Sequence, residues 1–222
     1  MHSHRPAPPF PRAALALSLA LALSAAAQAA PVGGVVAAGA ASIATSGNRT
    51  TITQSSRNAV IHWEAFGIAA GEAVRFRQPD ANSVALNRVL GSDPSAIFGK
   101  LSANGKVFLV NPNGVLFGSG ASVNVGGLVA STLDIADGDF MASRYAFSGG
   151  RRATVANHGA IEANGGFVAL LGADVLNQGR IDARGGSVAL AAGRAVTLDV
   201  LGDGLLRVSV DSGAVNALVR NG

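Results

Sequence analysis

Apolar and polar positions along this chain alternate mostly in short runs, each closed by glycine, asparagine or proline. Residues 59–77 alternate around Trp63 and Phe66, the period of two expected of a half-buried strand. Val107-Phe108-Leu109-Val110 is apolar at every position and reads as a strand buried on both faces. It runs into Asn111-Pro112-Asn113-Gly114, an order that suits a type I turn with Asn at i, Pro at i+1 and Gly at i+3. Val115-Leu116-Phe117 resumes the strand, Gly118-Ser119-Gly120 turns again, and residues 123–130 follow around Gly126-Gly127. Gly91 to Gly99, with Asp93-Pro94, reads as an excursion from this rhythm.

The pattern becomes a repeat at 157–190. The run Asn157-His158-Gly159-Ala160-Ile161-Glu162-Ala163, with Gly165-Gly166 and Val168-Ala169-Leu170, returns at an offset of 20 from Asn177 to Leu190. Asn, Gly, Ile, Ala, the glycine pair, Val, Ala and Leu are kept, while the positions between them vary. A fixed period with turn residues in register is the signature of a solenoid. Leucine-rich repeats share the length but need a leucine ladder and a helical arc, and no segment between these turns is long enough for a helix. Three short strands and three turns in about 20 residues describe one rung of a parallel β-helix, so the fold class is all-β. The chain is long enough for about nine or ten rungs stacked about 4.8 Å apart. Asn157 and Asn177 fall one rung apart and are placed to hydrogen-bond as a structural ladder.

Composition narrows the classes. The 222 residues are 49% hydrophobic with a formal charge of +4, which excludes a disordered polyelectrolyte. With no cysteine there is neither a disulfide scaffold nor a thiolate metal site. The 29 glycines all follow residue 29, as rung corners that take positive φ would require. No proline follows Pro112, as expected where every strand donates to its neighbour.

Residues 1–29 read as a signal peptide. Arg5 and Arg12 precede an apolar run from Ala13 to Ala27, and Ala27-Gln28-Ala29 supplies a small-x-small cleavage site. The run is too short for a comfortable membrane span, so no stable span is expected after cleavage near Ala30. Of the 17 basic residues 15 then remain against 13 acidic. They are scattered singly apart from Arg75/Arg77 and Arg151-Arg152, which argues against nucleic acid. His62 and His158 lie far apart in sequence, and Asp134, Asp137 and Asp139 lack the spacing of a calcium loop, so no metal or cofactor site is expected. Glu162 and Asp182, one rung apart, have the separation that glycoside hydrolysis could use, but Arg180 and Arg184 flank Asp182 and favour a solvated face.

The stretch from Thr50 to Pro79, with Trp63 at its centre, and the stretch containing VALNRVLG and VFLVNPNGVLFG resemble the secretion domain of two-partner-secretion exoproteins, the filamentous haemagglutinin type. The resemblance covers about residues 30–215. Leu86-Asn87-Arg88-Val89 is similar to the adhesin and haemopexin-binding branch, and no second Asn-Pro-Asn element of the other branch is present. The resemblance implies a right-handed parallel β-helix with an N-terminal cap and small extra-helical strands. It implies no catalytic activity. It also implies a partner, an outer-membrane transporter whose periplasmic recognition modules meet the chain unfolded, and a secreted or cell-surface location in a Gram-negative bacterium, where a host-cell surface can be engaged. Asn111, Pro112, Asn113 and Gly114, with Asn87 and Arg88, become the residues expected to serve transporter recognition or secretion. Residues 30–222 form the expected domain. Asn221-Gly222 reads as the opening of another rung, so truncation at this end is expected. A β-helical polysaccharide lyase or hydrolase and a passive surface rod are the alternatives.

Overall fold

The computed structural model describes residues 30–200, 206–212 and 218–222, so the signal-peptide reading of residues 1–29 lies outside the described residues. Three parallel sheets form the walls of a β-helix. The first contains strands Asn58–Trp63, Val84–Val89, Lys106–Val110, Gly127–Ser131, Phe167–Gly172 and Ser187–Ala192, each parallel to the one before. The second stacks Ser95–Ile97, Val115–Phe117, Thr154–Asn157, Asp174–Asn177 and Leu218–Asn221. The third stacks Arg49–Gln54, Ala73–Arg77, Lys100–Ala103, Ser122–Asn124, Ala160–Glu162 and Arg180–Asp182. At the N-terminal end two strands run against the stack and cap it. Val35–Ala38 lies antiparallel to Asn58–Trp63, and Ala41–Ser46 lies antiparallel to Arg49–Gln54.

The first sheet has six parallel strands, hence six turns among the described residues, where the period predicted nine or ten. The missing turns are spent outside the stack. Leu128 and Val168 are register partners one turn apart but 40 residues apart in sequence, because a short helix, Asp137–Met141, and a strand, Tyr145–Ser148, are inserted between them. That strand pairs antiparallel with Ala195–Val200, which pairs with Leu206–Ser212. The resulting three-stranded sheet lies across the outer face of the first wall. Asp134, Asp137 and Asp139, which lack the spacing of a calcium loop, lead into and open the helix Asp137–Met141. The excursion expected at 91–99 is shorter than it read, since Ser95–Ile97 is a regular strand of the second wall.

Two hydrophobic cores result, one on each side of the first wall. Ala85, Val107, Leu109, Leu128, Val168 and Leu170 point into the helix. Their neighbours Leu86, Phe108, Val110, Val129, Ala169 and Leu171 point outward beneath Phe140, Tyr145, Phe147, Val196 and Leu198. This explains the unbroken apolar runs, because a strand covered on both sides has no polar face. Phe108 meets Tyr145 at a centroid distance of 5.0 Å and Phe140 at 5.6 Å.

The glycine pairs at the corners work differently from the simple expectation of positive φ. Gly165 and Gly185 do adopt φ of +74° and +69°. Their partners Gly166 and Gly186 are required by contact instead, since a Cβ on either would collide with the carbonyl oxygen of the glycine one turn earlier. Stacked backbones approach too closely there for any side chain.

Candidate functional site

The Asn111–Gly114 turn closes as its sequence predicts, with the Gly114 amide donating to the Asn111 carbonyl at 3.1 Å. Asn111 does more than start it. Its side chain is fully buried, and its Nδ2 donates to the Asp93 carbonyl at 2.9 Å and to Ser95 Oγ at 3.0 Å. Its Oδ1 accepts from the Asn113 amide at 2.9 Å and from Asn113 Nδ2 at 3.2 Å. Asn113 Nδ2 also donates to the Gly91 carbonyl at 2.8 Å. The two asparagines therefore clamp this corner to the corner one turn earlier. Arg151 Nη1 donates to Asn113 Oδ1 at 2.7 Å, so this arginine buttresses the motif.

Asn87 and Arg88 are neighbours that face opposite cores. Asn87 points inward, is fully buried, and its Oδ1 accepts from the Trp63 indole Nε1 at 3.0 Å. Its Nδ2 donates to the Phe108 carbonyl at 3.3 Å. Buried amide and indole groups thus satisfy each other within a hydrophobic interior. Arg88 points outward and pins the inserted segment. Its Nε donates to Asp134 Oδ1 at 2.9 Å, its Nη1 to Asp137 Oδ1, and its Nη2 to the Ile135 carbonyl. His62 Nε2 lies 3.0 Å from Asp137 Oδ2 and 3.3 Å from Arg88 Nη1. Asp134 and Asp137 are therefore the partners of the motif arginine.

Asn157 Nδ2 donates to Asn177 Oδ1 at 2.8 Å, and Asn177 Nδ2 donates to Asn221 Oδ1 at 2.7 Å. Asn157 Oδ1 accepts from the Gly159 amide at 3.1 Å. A second polar stack went unnoticed in sequence. Gln78 Nε2 donates to Gln54 Oε1 at 3.1 Å, and Asn104 Nδ2 donates to the Gln78 carbonyl at 2.8 Å. Its members are 24 and 26 residues apart, a spacing that the 20-residue period does not reveal.

Outer surfaces carry the charge. Register brings Arg49, Ala73 and Lys100 side by side, with Arg75 on the next outward position. Residues scattered in sequence are thereby gathered into an open cleft of about 710 Å³ lined by Arg49, Arg75, Arg77, Lys100, Ser102 and Asn124. None of these four cations forms an ion pair among the described residues. Glu162 and Asp182 are register partners, but Asp182 is held by Arg180 at 3.0 Å and Arg184 at 3.1 Å. The hydrogen bond from Arg180 and the charge of Arg184 hold its carboxyl below the usual range. Glycoside hydrolysis needs one acid raised so that it keeps its proton, and Asp182 is shifted the other way. Asp211, beside a smaller cleft of about 440 Å³, is likewise lowered, by hydrogen bonds from Thr197 and Ser209.

Asparagine clamps thus join successive turns, and an arginine pin holds the inserted segment, on a β-helix capped at its N-terminal end. The family model described as TPS secretion domain matches residues 27–222. Two proteins called heme/hemopexin-binding protein, both from Haemophilus influenzae, are 51% identical over 105 residues and 50% over 91. Those stretches are 47% and 41% of this chain but only 12% and 10% of the relatives. The crystal structure of the HMW1 secretion domain from Haemophilus influenzae is 36% identical with a TM-score of 0.78, covering 86% of this chain and 52% of that one. The filamentous hemagglutinin secretion domain, at 19% identity and a TM-score of 0.60, covers 86% of this chain and 74% of its own and shares the fold. The chain belongs to the TPS, or two-partner-secretion, secretion-domain family.

Proposed function

We propose that this chain is the N-terminal secretion domain of a large adhesin- or haemagglutinin-type exoprotein, read unfolded in the periplasm by the recognition modules of its outer-membrane transporter. Residues 1–29 act as the export signal, and the domain folds at the cell surface, where the exoprotein engages host cells. Asn111, Pro112, Asn113 and Gly114, with Asn87 and Arg88, are the residues the transporter reads. Asn157 and Asn177 serve the folded stack.

The burial of the motif residues carries this reading. Asn87 and Asn111 have no exposed surface in the fold, so a partner can touch them only before folding. An unfolded chain presents the same residues on free strands, which can add to the edge of a receptor sheet. Topology supports the second half. Each strand of the three walls pairs with the turn before it, so a chain that emerges from its N-terminal cap can add turns in order of arrival. Among the described residues no helix is long and apolar enough to cross a membrane.

Binding to purified periplasmic modules of the transporter tests recognition. The chain kept unfolded in urea is expected to be captured, and the refolded chain to bind at least about tenfold more weakly, a difference of about 1.4 kcal/mol. Equal capture would overturn recognition before folding. Co-expression tests the partner: export without the transporter would sink the reading. Asn111→Ala should refold in vitro yet lose export beyond a variant of matched stability.

A further inference from the structure

Ala30 is held in an unusual way. Its φ is +68°, and Ser143 is the only other non-glycine residue with positive φ among those described. A Cβ makes this region unfavourable, and Pro31 presses its predecessor toward an extended conformation as well. The constraint is imposed from both sides. Downstream, the Val32 amide donates to the Ala65 carbonyl at 2.8 Å, and the Glu64 amide donates to the Val32 carbonyl at 3.0 Å. Gly34 then passes so close to the Trp63 ring and Ile43 that a Cβ there would collide with both.

At the residue itself, the Ala30 amide donates to Glu72 Oε2 at 2.8 Å. The same oxygen accepts from the Ala69 amide at 2.9 Å, and the Glu72 amide donates to the Ala69 carbonyl at 3.0 Å. The carboxylate is therefore fixed and half-buried in a tight turn before the strand Ala73–Arg77. No lysine or arginine pairs with it among the described residues. A carboxylate that gathers two backbone amides is placed to hold a positive charge as well.

We propose that Glu72 is the receptor for the new α-ammonium group produced when the Ala29–Ala30 peptide bond is hydrolysed. Ala27-Gln28-Ala29 is the small-x-small sequence that a signal peptidase cuts. Water adds across the bond. Its hydroxyl completes the carboxyl group of Ala29, and its proton goes to the departing nitrogen of Ala30, which takes up a further proton at neutral pH. One amide donor becomes an ammonium with three donors and a full charge, already beside its carboxylate. The positive φ disappears with the bond, because the preceding carbonyl that defines it has gone. Cleavage thus removes an unfavourable backbone conformation and adds an ion pair at one point, so that the N-terminal cap is held more tightly on a processed chain. The inference rests on the export reading above.

The test separates the two. Mass analysis of the chain recovered from the medium of cells carrying the transporter should give Ala30 as the first residue. A first residue elsewhere overturns the assignment. The same chain is then compared with itself after selective acetylation of the α-amine, which restores an uncharged amide and a preceding carbonyl. Acetylation is expected to lower Tm by about 3 °C, and Glu72→Gln to lower it by about 3 °C in the free-amine chain but by only about 1 °C in the acetylated one. Equal losses in both chains would show Glu72 acting only through Ala69 and would overturn the proposal. If nothing is exported, the export reading falls, and the chain begun at Ala30 and refolded from cytoplasmic expression still decides this one.

Discussion

The two faces of the first wall make two kinds of core. Inside, Ala85, Val107, Leu128 and Val168 stand in register, one per turn. The stack supplies every partner itself, so this core grows turn by turn. Outside, Leu86, Phe108, Val129 and Ala169 stand in the adjacent register, but their cover comes from the helix Asp137–Met141 and from strands as distant as Tyr145–Ser148 and Leu206–Ser212. The outer core closes only when those segments meet. Local contacts form early and long loops close late, so the inner core is the one that can follow a chain as it emerges. The outer core is the clamp that arrives afterwards.

Phe108 and Leu109 give the sharpest way to break this comparison, because they are neighbours on one strand that face opposite cores. The chain has one tryptophan and one tyrosine, and they report on different sides: Trp63 lies in the inner core and Tyr145 in the outer. Phe108→Ala should cost about 4 kcal/mol and Leu109→Ala about 3 kcal/mol, each through the cavity it leaves. The first is expected to make the Tyr145 near-ultraviolet signal melt below the Trp63 fluorescence transition. The second should lower both together. Coincident probes in both variants would mean one cooperative core.

Arg88→Ala comes next. It strips the guanidinium from Asp134, Asp137 and the Ile135 carbonyl while leaving the inner face intact. A loss of about 2 kcal/mol is expected, between exposed and fully buried pairs. Hydrogen exchange should rise at 134–148 and stay low in the inner strands. Protection unchanged at 134–148 would show that aromatic packing alone holds the clamp.

How far the sequence could be read follows the same division. Ile161 and Ile181 are register partners, as the 20-residue offset predicts, because each turn of the inner core repeats the same local demand. The glycine pair repeats for the same reason. The outer core sends no such signal. Tyr145–Ser148 alternates like any short strand, and nothing in it says that its partner lies at Ala195–Val200. Hence the overcount of turns: residues assigned to rungs were spent on a cover whose pairing is long-range. The charged cleft was missed for a related reason, since Arg49 and Lys100 become neighbours only through the turn between them. At the motifs, residue type told which turn would form, but not that Asn87 and Arg88 would face opposite ways into two different cores.

The asparagine ladder sharpens the inner side on a smaller scale. Asn157→Ala removes the donor to Asn177 and the acceptor for the Gly159 amide, and a cost of about 1–2 kcal/mol is expected for leaving buried partners unpaired. Denaturant midpoints should show it with the slope unchanged. Asn177→Ala should cost less, since its bond to Asn221 is only part-buried. A reversed order would mean that the ladder draws its strength from the C-terminal turn.

The smallest effect tests the outer core alone. Burial of Tyr145 pushes its phenol above the ordinary value, with a hydrogen bond to Ser143 opposing in part. The folded state therefore favours the neutral phenol, so its contribution to stability is complete below the unfolded value of about 10 and is lost as pH rises through the folded value. Absorbance of the single tyrosine at alkaline pH reads this titration directly. Native protein should ionise later than urea-unfolded protein, and Tm should fall across that window in the parent chain but fall less in Tyr145→Phe. If Phe108→Ala moves the titration back toward the unfolded curve while Leu109→Ala leaves it in place, the two cores are separable at the resolution of one hydroxyl group. If both variants move it equally, the clamp does not stand apart from the stack.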